Sequence, residues 1–267
     1  MTLKAVVLGV LQGILEWLPI SSQGNLMLVM VMFLGIEKTQ ALSLSIYLHL
    51  GTVFSVLFYF RQDVTNLLKA LPQYRFRNSS IKENKLITFL LITTIITGLI
   101  GYPIFKFAET ETINGEVFIA FIGIALIITG LLQKMIPKPG SRTEEDVNFK
   151  DILLLGVAQG FSAFPGVSRS GITTFALLFR RFRNQTALKL SFLMSVPAIL
   201  AAEIGLSLLS GLPKVNVWDI TLACVSSFIS GLISIHILLK IAQKINFWLF
   251  CITIGVLALI PLLGFLL

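Results

Sequence analysis

Long apolar runs separated by short charged loops dominate this chain. Runs long enough to cross about 30 Å of hydrocarbon are predicted at 41–60, 87–105, 117–133, 190–210, 218–238 and 246–267. Two stretches depart from that pattern. The apolar run 5–17 is too short to span; Pro19 and Ser21-Ser22-Gln23-Gly24 break it, and a second short run, Leu26 to Leu34, ends at Gly35-Ile36-Glu37-Lys38. Likewise 152–163 runs into Pro165-Gly166, and 172–180 ends in Arg180, Arg181 and Arg183. Two half-length helices around a polar break predict a re-entrant hairpin. Irregular backbone at membrane depth is tolerated only when buried in protein or lining a wet cavity.

The two broken stretches are copies of each other. Gly9 to Gly24, GVLQGILEWLPISSQG, aligns without a gap with Gly156 to Gly171, GVAQGFSAFPGVSRSG. Each copy is followed by three predicted spans, and an odd number of spans forces the copies into opposite orientations. The expected fold is therefore all-α and membrane-integral, with two inverted-topology repeats. Repeat 1 covers 1–133, with its hairpin at 5–35. A cytoplasmic linker covers 134–151, and repeat 2 covers 152–267, with its hairpin at 152–180. The loop 61–86 carries Arg61, Lys69, Arg75, Arg77, Lys82 and Lys85 against Asp63 and Glu83, which puts it inside by the positive-inside rule. The arginines after 180, with Lys240 and Lys244, fall on the same side. The first hairpin then opens from outside, the second from inside, and both tips reach the midplane. Such an architecture is shared by many transporters.

Composition agrees. The 267 residues are 55% hydrophobic and only 13% charged, with a mean hydropathy of +0.90, against about a quarter charged in soluble domains. The net charge of +8 sits in loops between apolar runs. It reads as topology signal and contact with lipid headgroups, not nucleic-acid binding. Cys224 and Cys251 both lie in apolar runs without paired spacing, so packing is expected of them, and neither a disulfide nor a metal cluster. The N-terminal run with Lys4 imitates a signal peptide. It lacks a small-x-small cleavage site and is interrupted by Glu16, so it is expected to be mature structure.

Chemistry concentrates in the hairpins. Gln12 and Glu16 are four apart and share a helix face. An ionised Glu16 in that apolar setting requires a cation or water. The twin position is Ala163, while the second copy contributes Arg169, so one composite site is expected. Hydroxyls, backbone N–H groups, a helix N-terminus and a guanidinium converging on one point make an anion site. Close helix packing alone accounts for Gly9, Gly13, Gly156 and Gly160 but not for Arg169. His49, His236 and Glu203 are intramembrane, and position alone gives them no role.

GVLQGILEWLPISSQGN resembles the first signature of the undecaprenyl-diphosphate phosphatases, the bacitracin-resistance family. PGVSRSGITT resembles their second, and LHLGT and FLMSVPA extend the likeness over nearly the whole chain. The resemblance implies a membrane phosphatase that removes the terminal phosphate of a polyprenyl diphosphate, recycling the lipid carrier for cell-envelope glycan synthesis. It implies that Glu16 and Gln12 hold a divalent cation, Mg²⁺ or Ca²⁺, or act as base. Ser22 is implied as nucleophile or phosphate contact with Ser21 beside it, and Ser168, Arg169, Ser170 and Thr173 as phosphate ligands. It also implies a site on the outer face of the plasma membrane. A lipid transporter without hydrolysis is the alternative, and membrane lipids and a second copy of the chain are the expected partners. One departure stands out. Many members have a catalytic histidine where this chain has Asn25, which is expected to bind phosphate through hydrogen bonds but cannot shuttle a proton near pH 7. The histidine is then dispensable, or Glu16 does the proton work, or the branch has altered activity, with His49 as a candidate substitute.

Overall fold

The computed structural model describes residues 2–75, 82–110, 115–135, 140–210, 216–241 and 247–260. Arg77, Pro137, Lys138, Pro139, Lys244 and the end of the last predicted span, 261–267, lie outside the described residues. Apart from an isolated bridge between Arg142 and Phe182, the regular structure is helical among the described residues. The helices are α1 (Thr2–Leu15), α2 (Ser22–Leu28), α3 (Lys38–Tyr47), α4 (His49–Tyr59), α5 (Arg61–Ala70) and α6 (Lys82–Thr110). They continue as α7 (Gly115–Lys134), α8 (Phe149–Phe161), α9 (Arg169–Phe179), α10 (Asn184–Ser210), α11 (Val217–Ile241) and α12 (Phe247–Leu257). Five residues of π-helix, Val29–Phe33, extend α2.

Gln40–Tyr59, Lys82–Ala108, Asn184–Gly205 and Val217–Lys240 are long and apolar enough to cross a membrane. The chain is an all-helical, multi-pass membrane protein. The outward faces carry apolar side chains at helical spacing: Leu91, Ile95 and Leu99 on α6, and Ile229, Ile233 and Ile237 on α11 are all exposed. In water such stripes are a liability; in lipid they match the solvent.

Two helices run beyond their apolar runs. Helix α6 starts at Lys82 and α10 at Asn184, because polar residues outside the hydrocarbon still continue a helix. The segment from Arg61, expected as loop, forms α5. Its Val64 and Leu67 pack on the core while Arg61 and Lys69 stay exposed, an amphipathic arrangement.

Two buried apolar clusters flank the centre. One gathers Trp17, Phe89, Phe182 and Phe192, the other Leu26, Met30, Leu42, Ile122 and Leu126. Helix α1 packs on α11 and α8 packs on α6, through the small residues of the repeated motif. The two broken turns meet. A Cβ added to Gly24 would stand 2.9 Å from the Cα of Gly166, so neither chain tip tolerates a side chain there. Gly166 also has φ +101°, a conformation other residues rarely adopt.

At one end of the bundle the charged loops form an ionic network. Lys189 reaches Asp63 at 2.6 Å and Glu144 at 2.9 Å, and Lys82 reaches Glu144 at 3.3 Å. Burial opposes ionisation of Glu144, and Lys189 and Lys82 outweigh it and hold its carboxyl below the usual range. Asp151, fully buried, lies between Arg142 and Arg180.

Candidate active site

Glu16 continues the last turn of α1 through its N–H to the Gln12 carbonyl at 2.9 Å. From that turn the carboxylate faces the junction of the two hairpins, where it collects donors from three parts of the chain. Gln12 Nε2 donates to Oε2 at 2.9 Å and Ser22 Oγ donates to the same oxygen at 2.6 Å. His49 Nε2 lies 3.1 Å from Oε2. Arg169 Nη2 bonds the other oxygen, Oε1. The guanidinium is fixed on its remaining sides by the Ser191 carbonyl at 3.2 Å and by the Trp17 ring, 5.7 Å from its centroid.

The turns that present these groups are built alike. Ser21 caps α2 by accepting from the Gly24 N–H at 3.2 Å, and Ser168 caps α9 by accepting from the Gly171 N–H at 3.0 Å. Both are strong N-cap residues, each satisfying a donor that a helix start would leave free. Ser21 holds φ 59°, an unusual conformation for serine, and this turn brings the next hydroxyl, that of Ser22, onto Glu16. Ser170 Oγ donates across to the Leu18 carbonyl at 3.0 Å and ties one hairpin to the other.

A cavity of about 290 Å³ opens beside this cluster. Glu16, Ser21, Ser22, Ser168, Arg169 and Ser170 line it, as does His49. Its far side is formed by small residues of α6 and α10, including Gly98, Gly101, Ala198, Ala202 and Gly205. An added Cβ at Gly98 or Gly205 would meet nothing within 4 Å.

Three other residues expected in the site do not line the cavity. Gln12 supports Glu16 from behind. Thr173 Oγ1 donates to the Arg169 carbonyl at 2.7 Å and meets Ser191 Oγ at 2.7 Å, bracing the arginine's turn. The Asn25 amide donates to the carbonyls of Ile20 at 2.6 Å and Ser21 at 2.9 Å, which staples its own hairpin.

His49, named from the sequence only as a candidate substitute for the missing histidine, is brought onto Glu16. Helices α3 and α4 are interrupted at Leu48. There α11 intrudes: Cys224 Sγ donates to the Tyr47 carbonyl at 3.8 Å and Ser227 Oγ to the Leu48 carbonyl at 3.3 Å. The imidazole projects from this break, its Nδ1 held 2.6 Å from the Ser45 carbonyl. Both oxygens of Glu203 on α10 are buried without a hydrogen-bond partner among the described residues. Ser191 was unmarked. It stands one residue before FLMSVPA, 192–198, whose likeness to the family does not include it.

A model of the bacitracin resistance protein BacA family matches residues 5–260. The chain belongs to this family. Among similar proteins named undecaprenyl-diphosphatase, that of Methanococcoides burtonii is 45% identical over 262 residues, covering 97% of each chain. That of Methanothrix thermoacetophila is 40% identical over 258 residues, 96% of this chain and 95% of the relative. That of Haloarcula marismortui is 34% identical over 255 residues, with 95% and 94% covered. The family resemblance read from the two signatures is thus supported across nearly the whole chain, and both signatures converge on Glu16 and Arg169.

The divalent cation implied at Glu16 fits this donor set poorly. Mg²⁺ and Ca²⁺ take six or more oxygen ligands. Glu16 already accepts from Gln12, Ser22, Arg169 and His49. Among the described residues no group of three His, Cys, Asp or Glu converges.

Proposed function

We propose that this protein is an undecaprenyl-diphosphatase: it hydrolyses a polyprenyl diphosphate to the monophosphate and inorganic phosphate, and so sustains cell-envelope glycan synthesis and bacitracin resistance. The observation that carries the reading is the Glu16 carboxylate, held between Arg169 and His49 and receiving the Ser22 proton at 2.6 Å, at the wall of a cavity. A carboxylate with a hydroxyl aimed at it is a base beside a nucleophile. Arg169 and the N-terminus of α9 supply positive potential where charge builds on the phosphoryl oxygens. Water attacks the terminal phosphorus in line, or Ser22 attacks and water then hydrolyses the phosphoserine; in either case Glu16 takes the proton of the attacking hydroxyl and the monophosphate leaves. A divalent cation, Mg²⁺ or Ca²⁺, brought in with the substrate would supply further charge neutralisation, and none of the residue roles above depends on it.

The same reading places the molecule in the plasma membrane as two inverted repeats, with re-entrant hairpins and the site reached from the outer side. Reciprocal packing supports it: α1 of the first copy lies on α11 of the second, as α8 of the second lies on α6 of the first. So does the gathering of 61–63, 82–85, 142–151 and 180–189 into one ionic end, the end assigned to the cytoplasm. The headgroup occupies the cavity and the prenyl chain leaves between α6 and α10, where the wall is small and open. A homodimer is compatible with this arrangement. The test is release of inorganic phosphate from undecaprenyl diphosphate by purified protein in micelles. Sustained release is expected. Lipid transfer across vesicles without release would replace the phosphatase with a transporter.

A further inference from the structure

His49 reaches the site from α4, outside both signatures, and its hydrogen bonds define its chemistry. Nδ1 faces a backbone carbonyl, Ser45 O, at 2.6 Å. Nε2 faces Glu16 Oε2 at 3.1 Å. A carbonyl and an ionised carboxylate are both acceptors only, so the ring that satisfies both carries a proton on each nitrogen. The group in contact with it agrees: Glu16 from the end of α1 is an acid, and Arg169 of α9 sits on the far oxygen of Glu16. The side chain is 14% exposed and lines the cavity. A protonated imidazole at the edge of a substrate-sized cavity, in contact with the base, is a proton donor with its own means of being recharged.

We propose that His49 is the general acid of the phosphatase reaction and that Glu16 reloads it. The inference rests on the phosphatase reading above. As the attacking water forms its bond to the terminal phosphorus, its proton passes to Glu16. The bond between that phosphorus and the bridging oxygen breaks, and the electron pair stays on the bridging oxygen. His49 Nε2 gives its proton to that oxygen, so the polyprenyl monophosphate departs protonated there. The proton on Glu16 then crosses the 3.1 Å contact to Nε2, restoring carboxylate and imidazolium. The net change is one water consumed, its hydroxyl on phosphate and its proton on the leaving group.

The test uses the purified full chain in micelles with undecaprenyl diphosphate. His49→Gln keeps a donor toward Glu16 and is expected to lower kcat by about 10²–10³-fold, the range of general acid catalysis, with KM changed by less than about threefold. His49→Ala opens space for free imidazole, which is expected to restore turnover in a saturable manner. Rescue by a series of substituted imidazoles should follow their acidity, a dependence that a packing role would not produce. A His49→Gln enzyme within about twofold of wild type overturns the proposal. So does a His49→Ala defect that imidazole leaves untouched. Absence of phosphate release by the wild type itself would instead remove the phosphatase reading, so the two failures are distinguishable.

Discussion

Two buried carboxylates in this molecule have nearly the same company. Asp151 receives Arg142 at 2.5 and 3.2 Å and Arg180 at 2.5 Å, with Arg142 stacked over Phe182 at 4.2 Å. Glu16 receives Arg169 and His49, with Arg169 over Trp17. The difference lies in what remains unsatisfied. Asp151 also accepts the Asn148 N–H at 2.9 Å in a capping box, so both its oxygens have two donors, and it does not line the cavity beside Glu16. Beside Glu16, Gln12 Oε1 is buried without a partner among the described residues, and the carboxylate opens on a cavity. One cluster uses its charges to hold loops together. The other sets Arg169 and His49 at the wall of a cavity, where their positive potential can act on an incoming anion. Paired buried charge is weak evidence of function by itself; access to a ligand decides it.

The comparison can be broken most sharply at the arginines. Arg169→Ala is expected to cut kcat/KM for polyprenyl diphosphate by at least about 10³-fold, the scale for losing a donor to the transition-state charge. Arg142→Ala should leave the kcat/KM of the folded protein within about threefold. Equal losses from both would erase the distinction between the two clusters.

The next effect is on stability and its pH dependence. Burial opposes ionisation of Asp151, and the hydrogen bonds from Arg142 and Arg180 outweigh it, holding its carboxyl below the ordinary range. A carboxyl depressed on folding stabilises above its unfolded pKa of about 4, and that contribution is lost as pH falls through the folded value. Asp151→Asn should therefore cost about 3 kcal/mol near neutrality, the scale for breaking a buried pair. The gap to wild type should narrow on acidification below about pH 4. Unfolding in micelles at several pH values measures this, and a gap independent of pH would remove the charge from the explanation.

The smallest expected effect sharpens the account of Glu16. Asn25→His should change turnover by less than about fivefold, well short of the 10²–10⁴ of an added acid or base. Asn25 staples its turn through two carbonyls, and the proton donor is already supplied by His49. A gain approaching a hundredfold, read from initial rates of phosphate release, would mean that the native site lacks an acid.

Much of this site was legible in the chain because it lies in a repeated motif. Aligning the copies exposes Glu16 in one and Arg169 in the other, and their pairing follows from the need of each for an opposite charge. The paired serine caps at 21 and 168 were legible for the same reason. His49 was not. A lone histidine in an apolar run carries no pattern, and its direction is set by Cys224 and Ser227 of α11, which open the helix at Leu48. Thr173 shows the converse: a signature residue that faces the Arg169 carbonyl and the Ser191 hydroxyl instead of the cavity. Helix α5 was hidden because its polar majority reads as loop, and only packing of Val64 and Leu67 on the core discloses the helical period.

The central claim is that Glu16, and not buried paired charge in general, is the reacting carboxylate. Its most direct test is phosphate release from undecaprenyl diphosphate by equal amounts of folded wild type, Glu16→Gln and Asp151→Asn. Release by wild type and by Asp151→Asn, with Glu16→Gln slowed by about 10³-fold or more, is the predicted result. A Glu16→Gln protein that releases phosphate at the wild-type rate would contradict it.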